Sequence, residues 1–271
     1  MPPVGADAIP PHPPRPLAVA AVLPHPPLLV PELAGAAAGE LDPLRAACRR
    51  ALSVVLAAAD LIVVVGGGPV WGVPGPSAPG SFRPYGADVE VTLPTQADLE
   101  LLPGLPAPAR LDELPLSLAV AAHLLAGVDA PGRVFAVAVP PALGPGAAAA
   151  IGRALIGGGD PAGSGAGPVA GRVGLVAMGD LSACRTERAP GAFRAEAAGF
   201  DASVAEALRD AKPERLLDLD PAQAGELLVA GRVPLQVLAG ACAGGGDLRG
   251  QVLYDDAPYG VGYLVALLTA P

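Results

Sequence analysis

The chain has 271 residues, a length at which α/β proteins often fold as one domain, and 52% of them are hydrophobic, enough for a sizeable core. Its formal net charge is −9 and its pI is about 4.7, and neither Lys212 nor the arginines form a basic cluster. Nucleic acid and anionic membrane surfaces are therefore excluded as expected partners.

The termini and cysteines indicate a cytoplasmic protein without a membrane span. Residues 1–16 are Pro-rich and lack the charged-then-apolar order of a signal peptide, so we predict a flexible arm followed by one domain over 17–271. No unbroken apolar run reaches the ~20 residues that a membrane helix needs. The cysteines, Cys48, Cys184 and Cys242, are odd in number and widely spaced, which favours free thiols in a reducing compartment.

Four continuous apolar runs predict strands that are buried on both faces of a sheet. They are Leu17–Leu23, 61–65, 134–139 and Val173–Met178. A helix that begins with Asp42 as its cap and Pro43 in its first turn separates the first two runs, and helices at 114–125 and 147–156 flank the third. This alternation predicts an α/β fold with a mostly parallel central sheet covered by helices on both faces.

The remaining segments complete this pattern along the chain. We expect a long Gly/Pro loop at 66–86, a short edge strand at 88–92, a linker at 157–171, a helix at 196–208, two or three short helices within 213–241, and final strands at 252–254 and 261–267. We find no internal repeat.

Polar residues at the ends of the predicted strands indicate where a site would form. Ligands bind open α/β sheets at the carboxyl ends of the strands. Those ends carry His25, the glycine turn at 66–69 and Asp180, and the final strands bring Asp255 and Asp256. We therefore expect all of these residues to face one cleft.

His25 is the best ligand candidate among the three histidines. It directly follows a buried strand and stands between prolines, although a histidine there could also satisfy a loop carbonyl. His12 lies in the Pro-rich arm, and His123 lies in a predicted helix where a packing role is favoured. Gly67 and Gly68 could line a pocket, since glycine allows close backbone approach, but their turn lacks both nucleotide-binding glycine motifs.

The segment after the fourth strand is rich in polar residues. Ser182, Arg185 and Glu187 are predicted to line the pocket, and the alternative is a capped turn with a surface ion pair. A nucleophilic role for Cys184 is disfavoured because no base is near it in the sequence. Asp255 and Asp256 fit either a turn or a pair of carboxylate ligands.

These places resemble, in order, the landmarks of a known family. The segments are Ala-Val-Leu-Pro-His25-Pro-Pro-Leu-Leu, Asp112-Glu113-Leu-Pro-Leu-Ser-Leu-Ala-Val, Val-Ala-Met-Gly179-Asp180-Leu-Ser182, and the late pair Asp255-Asp256. They resemble the catalytic subunit of class III extradiol ring-cleavage dioxygenases, which has the LigB-type fold shared with the Memo-like proteins. The resemblance covers roughly residues 17–268. It implies Fe(II) held by His25, Asp255 and Asp256, a catalytic Asp180 and a small aromatic ligand, and it leaves the oligomeric state open.

The departures from the family pattern decide the functional prediction. Ring cleavage uses Fe(II) on two histidines and one carboxylate, with an acid/base histidine close by. Here residues 66–69 contain no histidine, Ala183 stands where the family has the acid/base histidine, and Pro115 and Leu116 occupy the middle segment. We therefore predict a binding or accessory protein of this fold that lacks ring cleavage, with Fe(II) or no cofactor.

Two alternatives remain open. The first is an active non-haem Fe(II) dioxygenase that cleaves a catechol-type aromatic with an altered ligand set, which could include Asp180. The second is another metal-assisted or acid–base enzyme built from His25, Asp180, Glu187 and the Asp255–Asp256 pair.

Overall fold

A central eight-stranded sheet organises the protein. The computed structural model describes residues 17–93, 105–128, 133–157, 171–244 and 246–270, so the predicted arm and most of the predicted linker at 157–171 lie outside the described residues. The strands are β1 (Leu17–Leu23), β2 (Leu61–Gly67), β3 (Gly72–Pro74), β4 (Pro79–Ser81), β5 (Glu90–Thr92), β6 (Ala109–Leu111), β7 (Arg133–Val139), β8 (Val173–Met178), β9 (Arg249–Asp256) and β10 (Tyr263–Thr269).

The middle of this sheet is parallel and its margins are mixed. The strand order is β6-β3-β7-β2-β8-β1-β10-β9. The pairs β7–β2, β2–β8, β8–β1 and β3–β6 are parallel, whereas β3–β7, β1–β10 and β10–β9 are antiparallel. The predicted α/β fold with a mostly parallel central sheet is confirmed, as are the four predicted buried strands.

Helices cover both faces of the sheet. They are α1 (Pro31–Ala34), α2 (Asp42–Ala58), α3 (Leu116–Ala126), α4 (Pro145–Gly157), α5 (Glu196–Arg209), α6 (Pro221–Glu226) and α7 (Arg232–Cys242). The chain moves one way across the sheet from β1 through β2 to β7 and turns back for β8. Because such crossovers are right-handed, this reversal places α2 and α3 on one face and α4 on the other.

Two apolar layers explain why the strands are hydrophobic at every position. On β1, Val19 and Ala21 pack into the layer under α2 and α3, whereas Ala20 and Val22 pack into the layer under α4, α5 and α7. Successive side chains of a strand point to opposite faces, so a strand covered on both sides has no polar face.

None of the helices in the described part of the chain has both the length and the apolar character that a membrane span needs.

The segment after β2 differs from the prediction. Gly66 and Gly67 do not begin a turn but extend β2, where they pair with Ala138 and Val139 of β7. The predicted loop at 66–86 contains the short strands β3 and β4, and β5 pairs with β4 in a separate two-stranded sheet instead of lying at the edge of the main sheet. The three-residue strands β3 and β4 carry proline and glycine, so no alternating pattern reveals them.

Candidate functional site

A pocket of about 300 Å³ opens at the carboxyl edge of the parallel strands. Its wall combines the ends of β1, β2 and β7 with the beginnings of α3 and α7. The lining residues are His25, Gly67, Gly68, Leu116, Ser117, Val139, Pro141, Val229, Ala230, Arg232, Val233 and Pro234. This is the position at which open α/β sheets bind ligands. The volume is at the small end of ligand pockets.

His25 and Asp180 form a pair beside this pocket, because β1 and β8 are parallel neighbours and both residues follow the end of their strand. The backbone N–H of His25 donates to Asp180 Oδ1 at 2.7 Å. The imidazole Nδ1 lies 3.9 Å from the same oxygen, too far for a hydrogen bond. Nδ1 is the enclosed side-chain atom that lacks a hydrogen-bond partner among the described residues. An orphaned buried polar atom of this kind is a sign of a functional site.

Burial controls the electrostatics of Asp180. Its side chain is 16% exposed, and desolvation raises the pKa of the carboxyl, an effect that the charge and backbone N–H of His25 partly offset. The carboxylate acts in turn on two neighbours on the α2 side of the sheet. Burial, assisted by the charge of Asp180, raises the pKa of Cys48 to about 12 and also raises the pKa of Tyr263. Cys48 is therefore a neutral thiol and not a nucleophile.

We expect the Asp180→Asn substitution to increase the free energy of unfolding more at neutral pH than at pH 4. Because the pKa of Asp180 is raised on folding, the stability contributed by its proton is complete below the unfolded pKa of 3.8 and is lost as the pH rises through the folded-state pKa. The amide cannot ionise and still accepts the His25 N–H, so it escapes that loss. Urea unfolding of both proteins between pH 4 and 7 measures the difference. A difference that shrinks as the pH rises would contradict the expectation.

Close backbone contacts place α3 and α7 against the strand ends. Ser117 Oγ donates to the carbonyl of Gly67 at 2.7 Å, and Ser117 fills the space that a side chain at Gly66 would need. Gly231, which precedes α7, donates its N–H to the Asp180 carbonyl at 2.8 Å. A Cβ at Gly231 would lie 2.9 Å from Gly179 Cα, so only glycine fits at this contact. Both helices consequently begin at the pocket.

Arg232 is the charged residue that sequence reasoning missed. It is the first residue of α7, is 5% exposed and lines the pocket. Its guanidinium donates to the carbonyls of Pro141 and Leu143 and, at 2.8 Å, to Gln236 Oε1. Desolvation lowers its pKa. Among the described residues, no carboxylate forms a salt bridge with it.

Asp255 and Asp256 lie apart from His25. They are the last residues of β9, and β10 separates β9 from β1, which places them about 10 Å away at ordinary strand spacing. Asp255 is 3.9 Å from Arg209, and Asp256 Oδ1 accepts the N–H of Ala257 at 2.7 Å. The structure therefore does not gather the predicted metal ligands around His25, because both carboxylates are engaged at the exposed edge of the sheet.

The other predicted pocket residues divide into two groups. Gly67 and Gly68 line the pocket beside His25. Ser182 and Arg185 instead bind the buried carboxylate of Asp201 on α5, and Glu187 is exposed. None of the last three residues contributes to the wall of this pocket, because the segment after Asp180 folds back onto α5.

The donor set does not match the Fe(II) centre that the family resemblance implies. Across the described residues, no group of three or more His, Cys, Asp and Glu side chains is arranged to hold a metal ion. His123 is half-buried and packs edge-on against Phe82 with ring centroids 6.2 Å apart, and His12 lies outside the described residues. Two histidines and a carboxylate on one face are thus not assembled in the described part of the chain.

Burial and long-range contact explain why Arg232 and Ser117 were missed. Arg232 was predicted only as part of short helices within 213–241, and its burial depends on carbonyls about ninety positions earlier in the chain. Ser117 belonged to the segment at 112–120 that carried part of the resemblance, but nothing local shows that it contacts β2. The one available signal was the glycine run at 66–68, which indicates close approach without naming the partner.

Comparison with known proteins supports the fold and leaves the function open. No family model matches the chain, and no curated protein matches it. Among solved structures, it is similar to the crystal structure of uncharacterized protein JW3007 from Escherichia coli K12, with a TM-score of 0.53 and 14% sequence identity. The match covers 93% of this chain and 100% of that chain. At this identity the likeness shows the fold alone.

Proposed function

We propose that the chain is a LigB-type, extradiol dioxygenase-like protein that binds a small aromatic molecule in the His25 pocket and does not cleave its ring. The observation that carries this proposal is the pairing of one orphaned imidazole, His25, with Asp180 at the wall of a small and largely apolar pocket. The position fits the family resemblance, whereas the donor set fits binding better than iron chemistry.

The apolar wall favours an aromatic ligand. Leu116, Val139, Val229 and Val233 provide hydrocarbon surface around a few polar groups, which is the usual composition of sites for small organic molecules. The polar groups lie at the strand and helix ends, where they would orient the ligand. A pocket of about 300 Å³ suits a single ring with small substituents.

Position 183, where the family resemblance implies an acid/base histidine, is an alanine, and this argues against ring cleavage. Ala183 donates its backbone N–H to Leu227 at 2.9 Å and has no side chain that could move a proton. An acid/base group in such a reaction contributes a factor of about 100 to 10,000 in rate. Loss of this group and of a metal ligand would compound, although not in a strictly additive way.

We expect no ring-cleavage product when the protein is prepared anaerobically with Fe(II) and then given catechols and oxygen. The reaction is followed by the yellow muconic semialdehyde-type product, and iron content is measured on the same sample. Calorimetric titration with the same catechols should nevertheless show binding that is weakened in His25→Ala. Robust turnover that disappears in His25→Ala would overturn the proposal and establish an active enzyme with an altered ligand set.

A further inference from the structure

We infer that the His25 pocket recognises an anionic group, carboxylate or phosphate, on its aromatic ligand, through the paired beginnings of α3 and α7 together with Arg232. This inference rests on the proposed function, since it specifies the chemistry of the ligand bound at the same site. Three features of the pocket carry it: the N–H groups at the two helix beginnings, the guanidinium of Arg232 in a wall without Asp or Glu among its described residues, and the orphaned imidazole of His25.

Arg232 is the charged residue among the described residues that line the pocket, and it is basic. Arg232 is a cation and His25 is an imidazole, and no Asp or Glu is among the described residues that form the wall. Asp180 is the nearby acid, but its carboxylate lies behind His25 and accepts the His25 backbone N–H. An anion in the pocket would therefore contact donors and no competing carboxylate.

Two helices begin at the pocket with unused backbone donors. Leu116 and Ser117 open α3, and Arg232 and Val233 open α7; each helix has 11 residues. Within the described part of the chain, none of these four N–H groups makes a backbone hydrogen bond of normal geometry. First-turn N–H groups point out of the helix end and carry the positive end of its dipole, which favours an anion.

Arg232 supplies a full positive charge that forms no salt bridge among the described residues; Asp220 acts on it only through the longer-range attraction of its charge. Its guanidinium is fixed by two carbonyls and by Gln236, which is itself held by donation to the Leu219 carbonyl at 3.1 Å. Desolvation of this guanidinium outweighs the attraction of Asp220, so an anion bound in contact with it would relieve a cost. The guanidinium is rigidly positioned before any ligand arrives.

The unpartnered imidazole of His25 also points to a ligand. Its side chain is 10% exposed, lines the pocket and makes no hydrogen bond among the described residues. Nδ1 is the enclosed atom on the side of Asp180, so Nε2 is the ring nitrogen left for a ligand. A ligand oxygen at Nε2 and an anionic group at the helix ends would fix a ring in one orientation.

The test compares aromatic anions with a neutral aromatic ligand and with an anion that has no ring. Benzoate, phenyl phosphate, benzamide and acetate are titrated into the whole protein by calorimetry, with amide chemical shifts of Gly67, Gly68 and Val233 as a map of the site. We expect at least one of the two aromatic anions to bind about tenfold or more tightly than benzamide. The stronger of the two shows whether the group is a carboxylate or a phosphate.

A matched pair of variants places or omits a carboxylate at the mouth of the pocket. Leu116 is half-buried at the first position of α3, where Glu is favourable to the helix, so Leu116→Glu should fold as well as Leu116→Gln. We expect Leu116→Glu to weaken binding of the aromatic anion about tenfold relative to Leu116→Gln, with little change for benzamide. Arg232 is not the first choice for substitution because its guanidinium also holds the loop after β7.

The outcomes separate this inference from the proposed function. Equal affinity for the anions and benzamide, with shifts in the pocket, would overturn the anion inference and leave aromatic binding intact. Binding of acetate without any aromatic ligand would support the anion site and contradict the aromatic one. No binding by any of the four compounds would overturn both.

Discussion

Replacing Gly240 with valine is expected to lower the free energy of unfolding by about 3 kcal/mol. For a chain of this size the melting temperature should fall by roughly 6–12 °C. The substitution adds three carbon atoms at a point where two helix backbones touch, and neither helix can move without disturbing the apolar layer beneath it. Thermal and urea unfolding of the purified proteins measure the effect.

The contact between α4 and α7 is made through glycine on both sides. A Cβ at Gly240 would lie 2.7 Å from the carbonyl carbon of Ala149, and a Cβ at Gly152 would lie 2.6 Å from the backbone nitrogen of Ala241. Both distances are shorter than a van der Waals contact between these atoms, and both neighbours are backbone atoms that no rotamer change can move. The helices would have to separate, leaving voids in a layer that is packed like a solid.

Gly146→Val is the matched control, because Gly146 lies on α4 itself but is exposed and has no atom within 4 Å of the added Cβ. The control should change stability by less than about 0.5 kcal/mol, as is typical of surface positions. If Gly240→Val and Gly146→Val are equally stable, the two helices do not pack in backbone contact.

The strands could be predicted because burial on both faces of the sheet makes every position of a strand apolar. Leu17–Leu23 and Val173–Met178 match the structure residue for residue, and the other two predicted runs agree within two residues at each end. Continuous burial on two faces requires continuous apolar sequence, so the pattern is local. Strands β3, β4 and β6 have three residues each and are held by their neighbours, which no local pattern records.

The site was harder to predict because it depends on the order of the strands. His25 and Asp180 were each placed at a strand end, but their contact requires β8 to insert between β2 and β1. Asp255 and Asp256 also end a strand at the same edge of the sheet, yet two antiparallel pairings carry that strand to the margin. Arg232 reaches the pocket from a helix that local reasoning had no cause to connect with it.

The Ser182–Asp201–Arg185 cluster shows how a polar segment near a site can be mainly structural. The carboxylate of Asp201, which is 1% exposed, accepts the N–H and the hydroxyl of Ser182 at 2.9 and 2.8 Å and a guanidinium N–H of Arg185 at 2.9 Å. Backbone bonds from Leu181 and Arg185 to the carbonyls of Gly262 and Gly260 hold the same segment against the sheet. The cluster thus fastens the turn after Asp180 to α5.

We expect Asp201→Ala to lower the free energy of unfolding by about 3–5 kcal/mol. The substitution leaves the Ser182 N–H and hydroxyl without an acceptor and removes the counter-ion of Arg185, whose side chain is 27% exposed. Asp201→Asn should cost much less, about 1 kcal/mol. Desolvation raises the pKa of Asp201, so its charge is costly to bury, and an amide keeps an acceptor for Ser182 without that cost.

Urea unfolding at pH 7 decides between a structural and a ligand-binding role for this cluster. In the structural case, Asp201→Ala is the least stable of the series, Ser182→Ala loses about 1 kcal/mol, and the folded fraction of each variant binds benzoate or catechol as the wild type does. Near-wild-type stability of Asp201→Ala combined with lost ligand binding would show instead that Ser182 and Arg185 act in the pocket, as the sequence pattern alone predicted. The structure favours the first result, because Asp201 on α5 engages both residues, and none of the three is among the residues that line the pocket of His25 and Arg232.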